Sequence, residues 1–369
     1  MDPSKSNTNL YPGRRANMTT PPRSNPPKET ETSRFFAPSR SSDKPRPADD
    51  DDASKSTTDK KHRQTLLSFT SSGQLATKQP LVNPTPRSDA RRLTLAETAA
   101  ETISLLPGLL ATRPDVGTAG HLLPQTLLGP LDPKQDDHPH LAPITVRVID
   151  ADTIDAALAL APPQSTTSTN PVLVLNMANA SHAGGGFKHG ALAQEEALCY
   201  RSSLFFTLKI RHYPIPDRAA IYSPAVLVIR ESMSVGHALL DLRDPSRLPV
   251  VSAVSVAAVC RPDLTLVPSS GGGKSQKYTY ARTRDRELMK DKMRGVLRVG
   301  ARGGHRRIVL GALGCGAFWN PSWEVAALWR GVLGEREFGG WWEEVVFAVL
   351  GAGTENFEVF RRELDGMTV

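Results

Sequence analysis

Two glycine-rich segments each follow a run of apolar residues and suit contact with a phosphate group. The first contains Gly184, Gly185 and Gly186, and the second runs Gly311-Ala312-Leu313-Gly314-Cys315-Gly316-Ala317-Phe318. Glycine lets the backbone approach a ligand closely, and successive N–H groups can point into one concavity. We expect the two loops to hold one diphosphate from both sides.

Two adjacent glutamates, Glu195 and Glu196, follow the first loop after Gln194. Acidic residues in a first helical turn also complement the helix dipole, which is the simpler explanation. Adjacent helical residues diverge by about 100°, so this pair cannot flank one bond as the carboxylates of most glycosidases do. We expect one of the two to transfer a proton. The pair opens a single amphipathic helix, whose apolar positions are Leu198, Leu204, Phe205 and Leu208.

Other candidate motifs are weaker. Gly271-Gly272-Gly273-Lys274-Ser275 ends like a P-loop, but Pro268 stands where the first glycine of that motif belongs, so an NTPase is rejected. Cys315 lies between glycines and could be a thiol nucleophile, but no Cys–His pair is visible in the sequence. A contact through its backbone N–H is enough to explain a residue at this position of the loop. His182 and His189 flank the first loop and are expected to face solvent.

Cysteine usage and hydropathy limit the class of protein. Cys199, Cys260 and Cys315 are far apart, without C-x-x-C spacing, so neither a disulfide framework nor a metal site is predicted, and no cofactor is expected. No apolar run approaches the roughly 18 residues of a membrane span, and the N-terminus has no segment of signal-peptide type. We expect an intracellular protein, nuclear, cytoplasmic or both.

The chain divides by composition. Residues 1–87 hold 12 of the 30 prolines, and 15 Lys and Arg against 9 Asp and Glu, so a disordered basic tail is predicted. The rest is almost neutral, and nucleic-acid contact would be weak and confined to the tail. We expect a helical extension and linker over 88–143 and a catalytic domain over 144–369.

Periodicity predicts alternating helices and strands. A capping box at Thr94-Leu95-Ala96-Glu97 opens a helix that Pro107-Gly108 should stop near Leu106. Apolar runs predict strands at 144–149, 172–177, 220–229, 248–256, 307–313 and 345–350, and helices at 152–160, 284–299, 321–333 and 355–364. The alternation favours an α/β/α sandwich, whose ligands bind at the carboxyl ends of the strands.

The triplet Gly184-Gly185-Gly186, followed after seven residues by Gln194-Glu195-Glu196, resembles the signature of the poly(ADP-ribose) glycohydrolases, in their microbial branch found in bacteria and fungi. The similarity runs from about Arg91 to Leu364. It implies a macrodomain-like three-layer α/β/α sandwich with an N-terminal helical extension. It also implies metal-free hydrolysis of ribose–ribose bonds in poly(ADP-ribose), with ADP-ribosylated proteins as partners and a place in the DNA damage response. Further motif residues are Asn179, Ile221-Tyr222-Ser223-Pro224 and Gly314-Cys315-Gly316-Ala317-Phe318-Trp319-Asn320.

The resemblance also implies residue roles. Glu196 would be the catalytic acid and base, while Glu195 and Asn179 would hold ribose hydroxyls. The glycine triplet matches a catalytic loop, with Gln194 as a further substrate-binding position of the motif. The remaining assignments are a diphosphate-binding loop over Gly314, Cys315, Gly316 and Ala317, an aromatic beside the terminal ribose at Phe318, and an adenine contact at Asp152. Leu313 and Ala317 depart from the family, in which Trp and Val are frequent there, but neither change removes a polar group.

Two alternatives stay open at this point. A non-catalytic macrodomain that only binds ADP-ribose would need the glycine loops but not Glu195 and Glu196, so the retained pair favours an enzyme. An enzyme that removes single ADP-ribose units from protein side chains would carry the same residues.

Overall fold

The computed structural model describes residues 86–161, 170–268 and 276–369. The predicted tail over 1–87 lies outside the described residues, except for its last two positions, which begin a helix. The rejected P-loop over 271–275 also lies outside them. Within the described ranges, no helix has the length and apolar character needed to cross a bilayer.

Helices and strands alternate along most of the chain. The helices are α1 (Pro86–Ala111), α2 (Thr153–Leu160), α3 (Gln194–Arg201), α4 (Leu204–Thr207), α5 (Thr283–Arg302), α6 (Ser322–Leu333) and α7 (Glu355–Leu364). The strands are β1 (His121–Leu123), β2 (Arg147–Ile149), β3 (Leu173–Met177), β4 (Ala220–Leu227), β5 (Val250–Val256), β6 (Leu264–Pro268), β7 (Gln276–Tyr280), β8 (Arg307–Leu310) and β9 (Glu344–Ala348).

Seven strands form one sheet in the order β1-β4-β5-β3-β8-β9-β2. The strands from β5 to β2 in this order run parallel, whereas β4 is antiparallel to β5 and β1 is antiparallel to β4. Strands β6 and β7 form a separate antiparallel hairpin. The carboxyl ends of β3, β5 and β8 therefore meet at one edge, where the loops that follow them cluster.

The sheet is buried on both faces. Leu173 and Leu175 of β3 pack into the core formed with α5, α6 and α7, while Val174 between them packs into the core formed with α1, α2 and α3. Successive strand residues point to opposite faces, so a strand covered on both sides must be apolar throughout. The predicted three-layer α/β/α sandwich is confirmed.

Helix α1 is longer than predicted at both ends, and the expected stop at Pro107 was wrong. Pro107 lies inside the helix, which continues to Ala111. A proline there costs about 3 kcal/mol, but Leu106 and Leu110 are buried against Leu227 and Ile229. Burial of a leucine contributes about 1.5–3 kcal/mol, so tertiary packing of this turn offsets the proline.

The single helix predicted after Glu196 is also wrong, because it is interrupted between α3 and α4. At the break, the Ser203 N–H donates to the Leu227 carbonyl at 2.9 Å, and the Leu227 N–H donates to Ser203 Oγ at 2.9 Å. Ser202 forms an isolated bridge with Val228. The backbone leaves the helix in order to pair with the end of β4.

Most other predicted elements begin and end within about three residues of the observed ones. Strand β1 and the β6–β7 hairpin were not predicted. Since β1 lies in the segment expected to be a linker, that segment contributes an edge strand to the sheet. The domain division at residue 143 stays a prediction.

Candidate active site

A cavity of about 420 Å³ opens at the carboxyl ends of β3 and β8. Its wall comes from the segment after β3, the start of α3 and the loop after β8. Eight predicted site residues line it, namely Asn179, Gln194, Glu195, Glu196, Gly314, Gly316, Ala317 and Phe318. Phe318 is the aromatic residue of this wall, as expected for a residue beside a sugar ring.

Glu196 lies on this wall and is 7% exposed. Its Oε1 accepts a hydrogen bond of 2.8 Å from the backbone N–H of Gly186. Among the residues that the structure describes, Oε2 of Glu196 has no hydrogen-bond partner, which leaves that oxygen available to a ligand. One oxygen is therefore fixed by the backbone and the other is free for chemistry.

The glycine triplet supports Glu196 from behind. Gly185 has φ +57°, in the left-handed region that side chains rarely adopt, and a Cβ there would overlap Oε1 of Glu196. Gly184, Gly185 and Gly186 do not line the cavity. The Gly186 N–H is directed to the Glu196 carboxylate, and the expectation that both glycine loops hold one diphosphate stays a prediction.

Glu195 is more deeply buried than Glu196, at 3% exposed. Its Oε2 accepts from the Asn179 N–H at 2.7 Å, and its Oε1 accepts from Asn176 Nδ2 at 3.4 Å. Burial raises the pKa of Glu195 to about 8, the hydrogen bond from Asn179 opposes the shift, and Glu196 adds to it when its carboxyl group is ionised. This shift favours the protonated form of Glu195 at neutral pH.

Gln194 joins α3 to the end of β3. Its Oε1 accepts from the Met177 N–H at 2.9 Å, and its Nε2 donates to the Leu175 carbonyl at 2.8 Å and to Thr153 Oγ1 at 3.2 Å. Both N–H groups of the amide are thus used within the protein. Gln194 positions the glutamates that follow it, while the substrate contact implied by the resemblance stays a prediction.

The loop after β8 is held by Asn320. Its Nδ2 donates to the Val259 carbonyl at 2.8 Å and to the Gly314 carbonyl at 3.1 Å, while its Oδ1 accepts from the Tyr280 hydroxyl at 2.7 Å. A Cβ at Gly314, where φ is +77°, would lie 2.5 Å from this Nδ2. By contrast, a Cβ at Gly316 would have no neighbour within 4 Å, since it would point into open space.

Some predicted site residues lie elsewhere. Asp152 does not line the cavity; its Oδ1 accepts from the Ile154 N–H at 2.8 Å as the cap of α2, and it pairs with Arg201. Cys315 does not line the cavity either, and burial raises the pKa of its thiol, which argues against a thiolate nucleophile. His182 and His189 are exposed, as expected.

Several residues of the site were given no individual role from the sequence. The apolar part of the wall comes from Met177, Ala178, Leu192, Ala193, Ala258 and Ala312. Asn176 beneath Glu195, and Asn320 as the support of the second loop, act through contacts between residues distant in the chain. Within the described ranges, no three His, Cys, Asp or Glu side chains come close enough together to bind a metal ion.

The fold and this site define a macrodomain-like α/β/α protein with a buried acid pair at the carboxyl ends of its parallel strands. Residues 118–231 match the family model described as microbial-type PARG, catalytic domain, where PARG denotes poly(ADP-ribose) glycohydrolase. The matched segment contains Asn179, the glycine triplet and both glutamates. This segment is thus similar to the catalytic domain of that family, and the resemblance inferred from the glycine and glutamate motifs is confirmed.

Solved structures extend the similarity over most of the chain. The poly(ADP-ribose) glycohydrolase of Thermomonospora curvata is 26% identical, with a TM-score of 0.57, over 74% of this chain and 100% of that one. The same enzyme bound to the inhibitor ADP-HPD is 26% identical, with a TM-score of 0.56, over 73% and 99%. A variant of the Deinococcus radiodurans enzyme in complex with ADP-ribose is 28% identical, with a TM-score of 0.50, over 70% and 98%. Curated proteins show no significant match.

Proposed function

We propose that this protein hydrolyses the ribose–ribose O-glycosidic bonds of poly(ADP-ribose) and releases ADP-ribose, as a glycosidase. The observation that carries the proposal is that Glu196, with Oε1 fixed by Gly186 and Oε2 unpartnered among the described residues, lines the same cavity as the loop after β8. The similarity to structures named for this activity, one with an inhibitor and one with ADP-ribose, supports the same substrate.

Glu196 acts first as the general acid. Its carboxyl proton passes to the departing ribose oxygen as the bond from that oxygen to the anomeric carbon breaks. The carboxylate that remains is stabilised by the Gly186 N–H. It then removes a proton from water as the water oxygen bonds to the anomeric carbon, which restores the carboxyl group. The diphosphate of the bound unit offsets positive charge at the oxocarbenium-like centre, and no nucleophile of the protein is involved.

Glu195 and Asn179 hold the substrate in this proposal. Because Glu195 is protonated at neutral pH, it can both donate and accept a hydrogen bond to a ribose hydroxyl without adding negative charge beside the diphosphate. Gly316 and Ala317 lie on the opposite side of the cavity and approach the diphosphate, while Phe318 packs beside the terminal ribose.

Product analysis tests the proposal. The full chain is incubated with purified poly(ADP-ribose) and, separately, with protein carrying single ADP-ribose units, and the products are separated by chromatography and identified by mass. Release of ADP-ribose from polymer, with the last unit left on protein, is expected. Release of single units would instead indicate a mono-ADP-ribosyl hydrolase, and binding without turnover would indicate a reader.

The proposal has consequences for partners and location. Proteins modified with poly(ADP-ribose) would be the macromolecular substrates, inside the cell, and the reaction would reverse their modification, including after DNA damage. Removal of residues 1–85 from the purified protein would show whether the basic tail affects turnover of free polymer, which we expect to be unchanged.

A further inference from the structure

A second groove, of about 380 Å³, lies beside the catalytic cavity at the carboxyl end of β5. The two share Ala258 on their walls, and Ala180 of this groove directly follows Asn179 of the cavity. We call it the side groove and define it by the charged residues on its wall, Asp217, Arg282, Arg284, Asp285 and Lys292. None of these residues takes part in the proposed reaction.

The sheet order places the side groove on one particular side of the scissile bond. Strands β8, β3 and β5 are neighbours in that order. The loop proposed to bind diphosphate follows β8, Glu196 faces the end of β3, and the side groove follows β5. Consider a substrate with its diphosphate on the loop after β8 and its scissile bond at Glu196. The leaving-group side of this substrate continues toward β5 and therefore meets the side groove.

A buried lysine lines this groove with little compensation for its charge. Lys292 is 6% exposed, and its Nζ donates to the backbone carbonyl of Asp217. In the part of the chain that the structure describes, it makes no salt bridge with a carboxylate. Burial lowers the pKa of Lys292 to about 8 because it desolvates the ammonium, and Asp217 serves only in part as a counterion. An anion in the groove would supply that counterion.

Helix α5 adds two further features that suit an anion. It begins at the groove, and its first residue is preceded by Arg282, whose side chain does not cap the helix. The first N–H groups of a helix lack partners inside it and attract anions. Arg284, in the first turn, is exposed and forms no ion pair with any described residue, whereas Arg282 pairs with Asp263 at 2.5 Å.

Asp217 and Asp285 also line the groove, so its charge is not uniform. Three basic residues stand against these two acidic ones. Asp217 is exposed and lies beside Lys292, whose positive charge it favours, while Asp285 lies in the first turn of α5. This mixture of charges suits an anion bound in one fixed geometry better than a polyanion bound without specific contacts.

We propose that the side groove binds the diphosphate of the ADP-ribose unit on the leaving-group side of the scissile bond, through Arg284, Lys292 and the first turn of α5. This inference rests on the proposed function and makes it more specific, because it selects chains of two or more units. A single ADP-ribose unit on a protein side chain has no second diphosphate to place in this groove. It is therefore the poorer substrate.

Steady-state kinetics on poly(ADP-ribose) test the inference, together with calorimetry of ADP-ribose alone. Arg284→Ala should raise KM for polymer about fivefold to tenfold, since an arginine–phosphate contact is lost, with little change in kcat. Affinity for ADP-ribose, which fills only the catalytic cavity, should stay within twofold of the wild type. Arg336→Ala is the matched control, because Arg336 is exposed, follows the end of α6 and does not line the groove.

Lys292→Met provides a second variant that keeps the length of the buried side chain. If circular dichroism shows that this variant is folded, it should also show a raised KM for polymer with little change in kcat. If it is not folded, Arg284→Ala alone decides the question. Unchanged KM in the folded variants would overturn the inference. If wild-type protein released no ADP-ribose, the proposed function would fail instead, and binding of labelled polymer to wild type and Arg284→Ala would then decide whether the groove holds it.

Discussion

Gly185 lies directly against Glu196, in a position where any Cβ would overlap Oε1 of the carboxylate. The same site would place a Cβ 3.1 Å from Oε2 of Glu195, so both acidic side chains pack on one glycine. The shape of this contact is a property of the backbone, because φ at Gly185 is +57° and the adjacent N–H of Gly186 bonds to Glu196. Gly185 therefore limits where the Glu196 carboxyl group can lie.

Gly185→Ala should reduce turnover of poly(ADP-ribose) about 100-fold, because the added methyl group displaces the general acid from its hydrogen bond. Turnover and melting temperature are measured together. Gly236→Ala is the matched control: Gly236 also has a left-handed φ, +74°, but a Cβ there meets no atom within 4 Å. If both variants lose activity equally, backbone strain and not displacement of Glu196 is the cause.

Glu196→Gln should lower turnover at least ~10²-fold and leave ADP-ribose binding nearly intact, because the amide keeps the shape of the side chain but has no proton to transfer. Glu195→Gln should cost less in turnover and more in affinity, since Glu195 is proposed to hold hydroxyl groups. Rates on polymer and calorimetry with ADP-ribose separate the two. Turnover of Glu196→Gln within a few-fold of wild type would remove Glu196 from the acid role.

Glu195 should make the stability of the fold depend on pH. Its pKa rises from 4.5 to about 8 on folding, so between these values the folded state keeps a proton that the unfolded state has lost. The stability associated with this proton is fully present below pH 4.5 and is lost as pH rises through 8, by on the order of a few kcal/mol. Glu195→Gln removes the titration.

Thermal unfolding at pH 5, 7 and 9 provides the measurement. The melting temperature of Glu195→Gln relative to wild type should rise steadily from the lowest pH to the highest. Parallel profiles for the two proteins would show that Glu195 titrates near its ordinary pKa in the folded state.

Gly316→Val should weaken binding of ADP-ribose and ADP strongly and binding of adenosine much less. A side chain at this position meets no protein atom within 4 Å, so it extends into the space proposed for the diphosphate and leaves the fold undisturbed. Calorimetry with the three ligands makes the comparison on one folded variant. Equal losses for ADP-ribose and adenosine, or none for either, would mean that the loop does not hold the diphosphate.

Local patterns predicted much of this fold. The run Val172–Met177 is apolar except at Asn176, which is close to what a strand covered on both faces requires. Strand β1 was missed because it has only three residues, and its pairing partner β4 is distant in the chain. The extension of α1 past Pro107 depends on Leu227 and Ile229, more than a hundred residues away, so no local rule could predict it.

The site divides in the same way. Glu195, Glu196 and the glycine triplet are close in sequence, so their motif could be recognised without a structure. The direction of the Gly186 N–H toward Glu196 and the use of both Gln194 N–H groups depend on how loops fold back on β3. Asn176 and Asn320 were not predicted to have roles, since their partners lie far along the chain.

The contacts of Asn320 bear on the thermodynamics of ligand capture. Its side chain binds the carbonyls of Val259, Gly314 and Phe318, and it is itself held by Tyr280. A loop already tied in this way loses little conformational entropy when a ligand arrives, so more of the interaction energy appears as affinity. The β6–β7 hairpin ends at Tyr280, which holds Asn320 from outside the cavity. The hairpin thereby contributes to binding, because it keeps the loop after β8 ordered before the ligand enters.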